Sequence, residues 1–138
     1  MNPDPFVIAH GCSMGAYHAV NIAFRYPERF GKVIALSGRY DLTAQIGSFR
    51  GLFDGHYDRS IYFNTPSHFI PLLTDEEELQ CLRRLEIILA VGRDDQFRRN
   101  NEELSRALWE KDVWHALHVW DGEAHRPRSW RRMVSLYL

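Results

Sequence analysis

Gly11-Cys12-Ser13-Met14-Gly15 sets a hydroxyl between two glycines, and Asp94, Asp95 and His125 follow far downstream. A serine alkoxide does not form at neutral pH without a base, and an imidazole works as that base when a carboxylate orients it. The chain order serine, acid, histidine meets this need when each residue follows a strand of one parallel sheet. Glycines two residues either side of Ser13 let neighbouring backbone pass without Cβ clashes, so the serine can occupy a tight, strained turn. A helix opening behind it leaves backbone N–H groups unpaired, above all that of Met14, in position to stabilise an oxyanion. Asp95 is the preferred acid, because the fourth position after Val91 lies farther beyond the strand end. Asp94 stays as the alternative.

The elements around these residues supply that geometry. Phe6 to His10 is a short apolar run stopped by Gly11, the pattern of a strand buried on both faces. From Gly15 to Tyr26, Gly15, Ala19 and Ala23 recur at fours, so one face of a helix can lie close to a sheet, and Pro27 ends it. Val33 to Ser37 is a second buried strand closed by Gly38, which completes a βαβ unit. Ile87 to Val91 and Val113 to Trp120 are further strands, the first running into Asp94 and Asp95, the second into His125. Thr74 to Arg84 is acidic at its start and basic at its end, as suits a helix dipole. Asn100, three residues before Glu103, reads as the cap of a helix ending near Lys111, and Trp130 to Leu138 has the spacing of a last helix. This alternation predicts an α/β fold, a parallel sheet flanked by helices on both faces. Residues 40 to about 73 break the pattern with glycines, aromatics and prolines, and read as an irregular insertion, either a loop collapsed on the sheet edge or a cap over a pocket.

Composition narrows the field. The chain has 138 residues, 45% hydrophobic and 25% charged, which predicts one domain over 1–138 with a core of its own. Lys and Arg number 17 against 18 Asp and Glu, so charge gives no reason to expect nucleic acid or an anionic membrane as partner. Cys12 and Cys81 are too few for a disulfide framework or a four-cysteine zinc site and read as free thiols. His115 and His118 are three apart on the expected strand and face opposite ways, His10 ends its strand against packed neighbours, and His18, His56 and His68 lack partners at ligand spacing. No metal site is expected. Arg126, Arg128, Arg131 and Arg132 read as a solvated face that can also attract an acidic substrate group. With no apolar run long enough to span a bilayer and no signal-peptide pattern at the start, the expected compartment is the cytoplasm.

Several stretches together resemble the α/β-hydrolase superfamily, within it the putative-esterase (esterase D-like) group of S-formylglutathione hydrolases, feruloyl esterases and related acyl hydrolases. They are Gly11 to Gly15 with Ala16-Tyr17-His18-Ala19, Tyr26 to Phe30, Ala35 to Gly38 with Tyr40-Asp41-Leu42, and Trp120-Asp121-Gly122 leading to His125 and Trp130. The resemblance implies Ser13 as nucleophile, His125 as base, an acid in the Gly92 to Asp95 turn, and no cofactor. Where many members read Asp-Trp after the histidine, this chain has Arg126-Pro127. Such hydrolases build several strands before the elbow, and an early loop supplies a second oxyanion donor. This sequence starts at the elbow strand, so the expectation is a partial α/β-hydrolase fold lacking the N-terminal strands, with residues 6–10 as an open edge.

The expected function is a serine carboxylic ester hydrolase acting on a small-molecule ester through a covalent acyl-enzyme. Two alternatives stand beside it. One is an acyltransferase or thioesterase using the same triad, since acceptor choice lies in pocket shape. The other is a non-catalytic remnant whose edge strand 6–10 pairs with a second copy or another partner.

Overall fold

The structure, a computed structural model, describes residues 5–138. Four strands, β1 (Ile8–Cys12), β2 (Lys32–Leu36), β3 (Glu86–Gly92) and β4 (Ala116–Trp120), form one sheet in chain order, with every neighbouring pair parallel. Parallel pairing brings all four carboxyl ends to one edge, the edge where open α/β sheets place their ligands. The register matches Gly11 with Ala35, Leu36 with Ala90 and Gly92 with Trp120.

Helices cover both faces. Helix α1 (Met14–Arg25) returns the chain from β1 to β2 and lays Ala16, Ala19, Val20 and Ala23 on the sheet. The short helices α2 (Arg59–Phe63) and α3 (Pro66–Phe69), then α4 (Glu76–Arg84), lie between β2 and β3, and α5 (Arg98–Glu110) between β3 and β4. Val33, Ala35, Ile87 and Leu89 join the buried residues of α1, α4 and α5 in the larger core. On the opposite face Ile34, Leu36 and Ala90 pack with Met133 and Trp130 of α6 (Pro127–Tyr137). The alternation along β2 sends every second residue to each core, which is why the strand reads as a continuous apolar run.

Several boundaries differ from the sequence reading. The first strand is displaced from Phe6–His10 to Ile8–Cys12: Gly11 and Cys12 still pair with β2, and the chain turns only at Ser13. His10 is exposed rather than packed, its Nδ1 on the Ile34 carbonyl at 2.9 Å. Asn100 does not cap α5. It lies buried in the first turns of that helix, and its Oδ1 accepts from the backbone N–H groups of Tyr40 and Asp41 while Asn101 Nδ2 donates to Gly38 O at 2.9 Å. The two asparagines thus fasten the segment leaving β2. The last strand begins at Ala116, not Val113, because His115 folds back: its ring bonds the Val113 carbonyl at 2.9 Å and Ser105 Oγ at 2.6 Å. It therefore does not stand opposite His118 on a strand. The 40–73 insertion is irregular only in its first part. Its second part is helical, capped by Asp58, with Ile61 and Ile70 buried.

The two elbow glycines also differ from one another. A Cβ on Gly11 would sit 2.1 Å from the Gly15 carbonyl oxygen, whereas one on Gly15 would meet nothing within 4 Å. Only the first opens space for backbone. At Gly92 a Cβ would lie 1.9 Å from Glu123 O. Gly11→Ala and Gly92→Ala should each lose roughly 1–3 kcal/mol of stability to overpacking against backbone. Gly15→Ala should be neutral or gain up to about 1 kcal/mol, since alanine favours a helix. Urea midpoints of the three variants check this, and a Gly11→Ala protein as stable as the parent would contradict the packing described.

Candidate active site

Ser13 follows β1 directly and occupies the capping position of α1 at φ 57° and ψ −119°. Only a residue gripped on both sides holds such a conformation. Its N–H donates to Leu36 O at 2.8 Å, and its carbonyl accepts from Ala16 N at 3.0 Å. The hydroxyl makes no cap bond to its own helix. It instead lies 3.1 Å from His125 Nε2.

His125 stands five residues beyond β4, and its other nitrogen, Nδ1, is 2.8 Å from Asp95 Oδ2. An ionised carboxylate only accepts, so Nδ1–H donates to Asp95 and, in the neutral ring, Nε2 accepts from Ser13 Oγ–H. Asp95 is buried, with its side chain 3% exposed, and its second oxygen accepts from Phe97 N at 2.9 Å. Asp94 is exposed, and what it contributes is its backbone N–H, to Gly122 O at 2.9 Å. Of the two acids, the structure brings Asp95 to the imidazole. The hydrogen bond to Asp95 raises the His125 pKa above its ordinary value, partial burial opposes the rise, and the charges of Asp95 and Glu123 add to it.

The loops after β3 and β4 meet closely. Arg93 N donates to Trp120 O at 2.7 Å, and Gly92 leaves room for the chain at Gly122 and Glu123. Ser37, after β2, is fully buried at φ 54°. It accepts from Trp130 Nε1 at 3.0 Å and reaches the carbonyl of Ala124, itself at φ 53°, at 3.5 Å. Trp130 also meets the His125 ring edge-on, 5.4 Å between centres. The Arg126-Pro127 pair that follows His125 starts α6 at once, and Arg126 O accepts from Trp130 N at 3.1 Å. The helix therefore delivers Trp130 to the imidazole one turn later. Sequence reading placed Trp130 in a helical stripe and Ser37 at a strand end, but it had no signal for their bond to each other. It places Gly92 in the turn that carries the acid without a packing role, and it has no signal for Phe97.

Met14 N–H is the first of α1 and has no carbonyl of its own helix to bond. The remaining histidines lie elsewhere. His18 is exposed on α1, His56 pairs with Asp58 at 3.1 Å, and His68 pairs with Asp41 at 3.2 Å. Among the described residues no group of three or more His, Cys, Asp or Glu is placed to hold a metal ion. Cys12 and Cys81 are free thiols. Arg126, Arg128, Arg131 and Arg132 are exposed, with Arg132 over the Trp120 ring. No helix among the described residues is long and apolar enough to cross a membrane.

Comparison with known proteins agrees with the fold. A solved ferulic acid esterase superposes with a TM-score of 0.74 at 25% identity, over 94% of this chain and 48% of its own. FphF, a fluorophosphonate-binding serine hydrolase of Staphylococcus aureus, gives 0.71 at 16% identity over 94% and 51%. The S-formylglutathione hydrolase FrmB of Staphylococcus aureus gives 0.63 at 18% identity over 94% and 48%. These last two share the fold, and the chain spans about half the length of all three. A search of curated proteins found no match. The family model described as Putative esterase matches residues 1–131, nearly the whole sequence. The chain, a parallel α/β sheet of the α/β-hydrolase type, belongs to that esterase family.

Proposed function

We propose that this chain carries the reactive half of a serine carboxylic ester hydrolase, with Ser13 as nucleophile, His125 as general base and acid, and Asp95 as its orienting carboxylate. The observation that carries the reading is the unbroken hydrogen-bond path from Asp95 through His125 to a serine hydroxyl that its own helix leaves free. In the proposed reaction Ser13 Oγ attacks the ester carbonyl while His125 Nε2 takes its proton, and the Met14 N–H faces the oxyanion of the tetrahedral intermediate. His125 then returns the proton to the leaving alcohol, and an acyl-Ser13 ester remains. Water, deprotonated by the same imidazole, releases the acid and restores the serine. Nothing in the three side chains chooses water over another acceptor, so acyl transfer or thioester hydrolysis would use the same steps.

Incubation with a fluorophosphonate should label Ser13 alone, as read by mass spectrometry of the digest, and Ser13→Ala should remove both label and turnover of p-nitrophenyl acetate. A folded sample left unlabelled at Ser13 would defeat the proposal. The base must be neutral to accept the serine proton, so the rate should climb with pH through an apparent pKa above the ordinary 6.5 of histidine. Asp95→Asn removes the negative charge that raises it and leaves at most a neutral hydrogen bond, so the acid limb should move to lower pH. The maximal rate should also fall by roughly 10⁴, as loss of an orienting carboxylate does in other serine hydrolases. An unmoved limb would mean that His125 is not the titrating base.

The outer edge of β1 supports a second reading, in which two copies associate. Among the described residues β1 pairs on one side only, and Phe6, Ile22 and Tyr26 are 66%, 50% and 43% exposed. Exposed apolar surface beside an unpaired strand favours association. Light scattering after size exclusion should give a dimer that Phe6→Asp converts to monomer, and a monomeric parent chain would end this reading.

A further inference from the structure

The loop from Leu42 to Leu52 is tied more firmly than a surface connection requires. Leu52 N–H closes it on Leu42 O at 2.9 Å, and at its tip Ile46 and Phe49 exchange backbone hydrogen bonds of 2.8 Å. Arg39 braces it from inside. The residue is buried, and its Nη2 donates to Ala44 O at 3.0 Å and Arg50 O at 2.8 Å, one carbonyl from each arm. Its Cζ also lies 6.0 Å from the Phe49 ring centre and 5.8 Å from that of Phe97. A desolvated guanidinium beside two neighbouring aromatic rings gains more from cation–π attraction than an exposed one does. The tip is seated as well: Gly47, at φ 57°, lies so close to Gln96 that a Cβ would come within 2.3 Å of its Oε1. Gln96 is the residue after Asp95.

The result is an aromatic wall leading to the imidazole. Phe49 meets Phe97 at 4.9 Å between ring centres, and Phe97 lies 6.2 Å from the His125 ring. Phe97 is buried at 6% exposure, yet Phe49 is 44% exposed. An apolar ring held still from behind and open in front binds a flat apolar group with little further loss of side-chain entropy. The wall rises from the loops after β2 and β3, the side of the sheet that carries Asp95 and His125, whereas Met14 N–H stands at the start of α1 beside β1. In the reaction proposed above, the carbonyl oxygen turns to Met14 and the departing oxygen to His125 Nε2.

We propose that Phe49 forms a subsite for an aromatic or similarly flat apolar leaving group, with Arg39 as the residue that positions it. This rests on the serine hydrolase reading above. The experiment compares two phosphonylating reagents that leave the same adduct on Ser13, one expelling fluoride and the other p-nitrophenolate. The ratio of their second-order labelling rates isolates the leaving group. Phe49→Ala should lower that ratio roughly 5- to 10-fold by removing the aromatic contact, with the fluoride rate unchanged, and Phe49→Tyr should restore it. Arg39→Leu should lower the ratio in the same direction. An unchanged ratio in Phe49→Ala overturns the subsite. A readout independent of Ser13 chemistry is 19F NMR of fluorophenylalanine-labelled protein, with the Phe49 resonance assigned by its loss in Phe49→Ala. Benzyl alcohol should shift it and methanol at equal concentration should not. A Phe49 resonance indifferent to benzyl alcohol overturns the inference whatever Ser13 does, and a shifting resonance beside an unlabelled Ser13 retires the hydrolase reading while supporting the aromatic subsite.

Discussion

The hydrogen bond from His125 Nδ1 to Asp95 Oδ2 decides which nitrogen the imidazole offers to Ser13, and the surrounding structure is arranged around that contact. Oδ1 is held by Phe97 N and the side chain is sealed from water, which leaves Oδ2 to accept from the imidazole. Its partner arrives from a different strand, so two loops must come closer than side chains ordinarily allow. Gly92, having no Cβ, leaves the room, and the N–H groups of Arg93 and Asp94 stitch the first loop to the carbonyls of Trp120 and Gly122 on the second. Trp130 and Phe97 then flank the ring, which limits its rotation about the bond to Asp95.

Strain is concentrated at the same edge. Ser13, Ser37 and Ala124 all hold positive φ without being glycine, and each such residue costs on the order of 1–3 kcal/mol. The conformations persist because their backbone groups are spoken for: Ser13 N by Leu36 O, Ser37 N by Ala90 O, and Ala124 O by Ser37 Oγ. Each of these bonds reaches to a neighbouring strand or loop. The strained residues therefore hold one another in place, and β2, buried along its whole length between the two cores, is the rigid element they share.

Much of this is legible in the sequence, for reasons that differ by element. The strands β2 and β3 are buried on both faces, so their apolar runs are continuous and their limits fall within a residue or so of the reading. β1 was displaced because Gly11 looks like a stop in sequence, whereas here it stays in the ladder and makes room for the backbone of Gly15. At Asn100 the local spacing suggests a cap, while its partners, Tyr40 and Asp41, are some sixty positions away in the chain. No local pattern encodes such a contact. The geometry joining Ser13, Asp95 and His125 follows from topology: in a parallel sheet every strand end reaches the same edge, so residue type and order alone bring them near. What fixes the ring among them, the Ser37 to Trp130 bond, spans 93 positions and had no counterpart in any periodicity.

The molecule contains its own control for how little a serine-histidine contact means alone. Ser105 Oγ lies 2.6 Å from His115 Nε2, closer than the 3.1 Å between Ser13 and His125. Yet His115 Nδ1 donates to the carbonyl of Val113, a neutral acceptor that gives far less support to an imidazolium than a carboxylate does. Burial accordingly pushes the His115 pKa down, the reverse of His125. Both members are buried between α5 and the lead into β4, with Trp109 against the ring at 4.4 Å. The same two side chains thus serve as a structural tie in one place and a candidate reaction centre in the other. The difference lies in the third group, in access, and in a backbone turn that keeps the hydroxyl from capping its own helix.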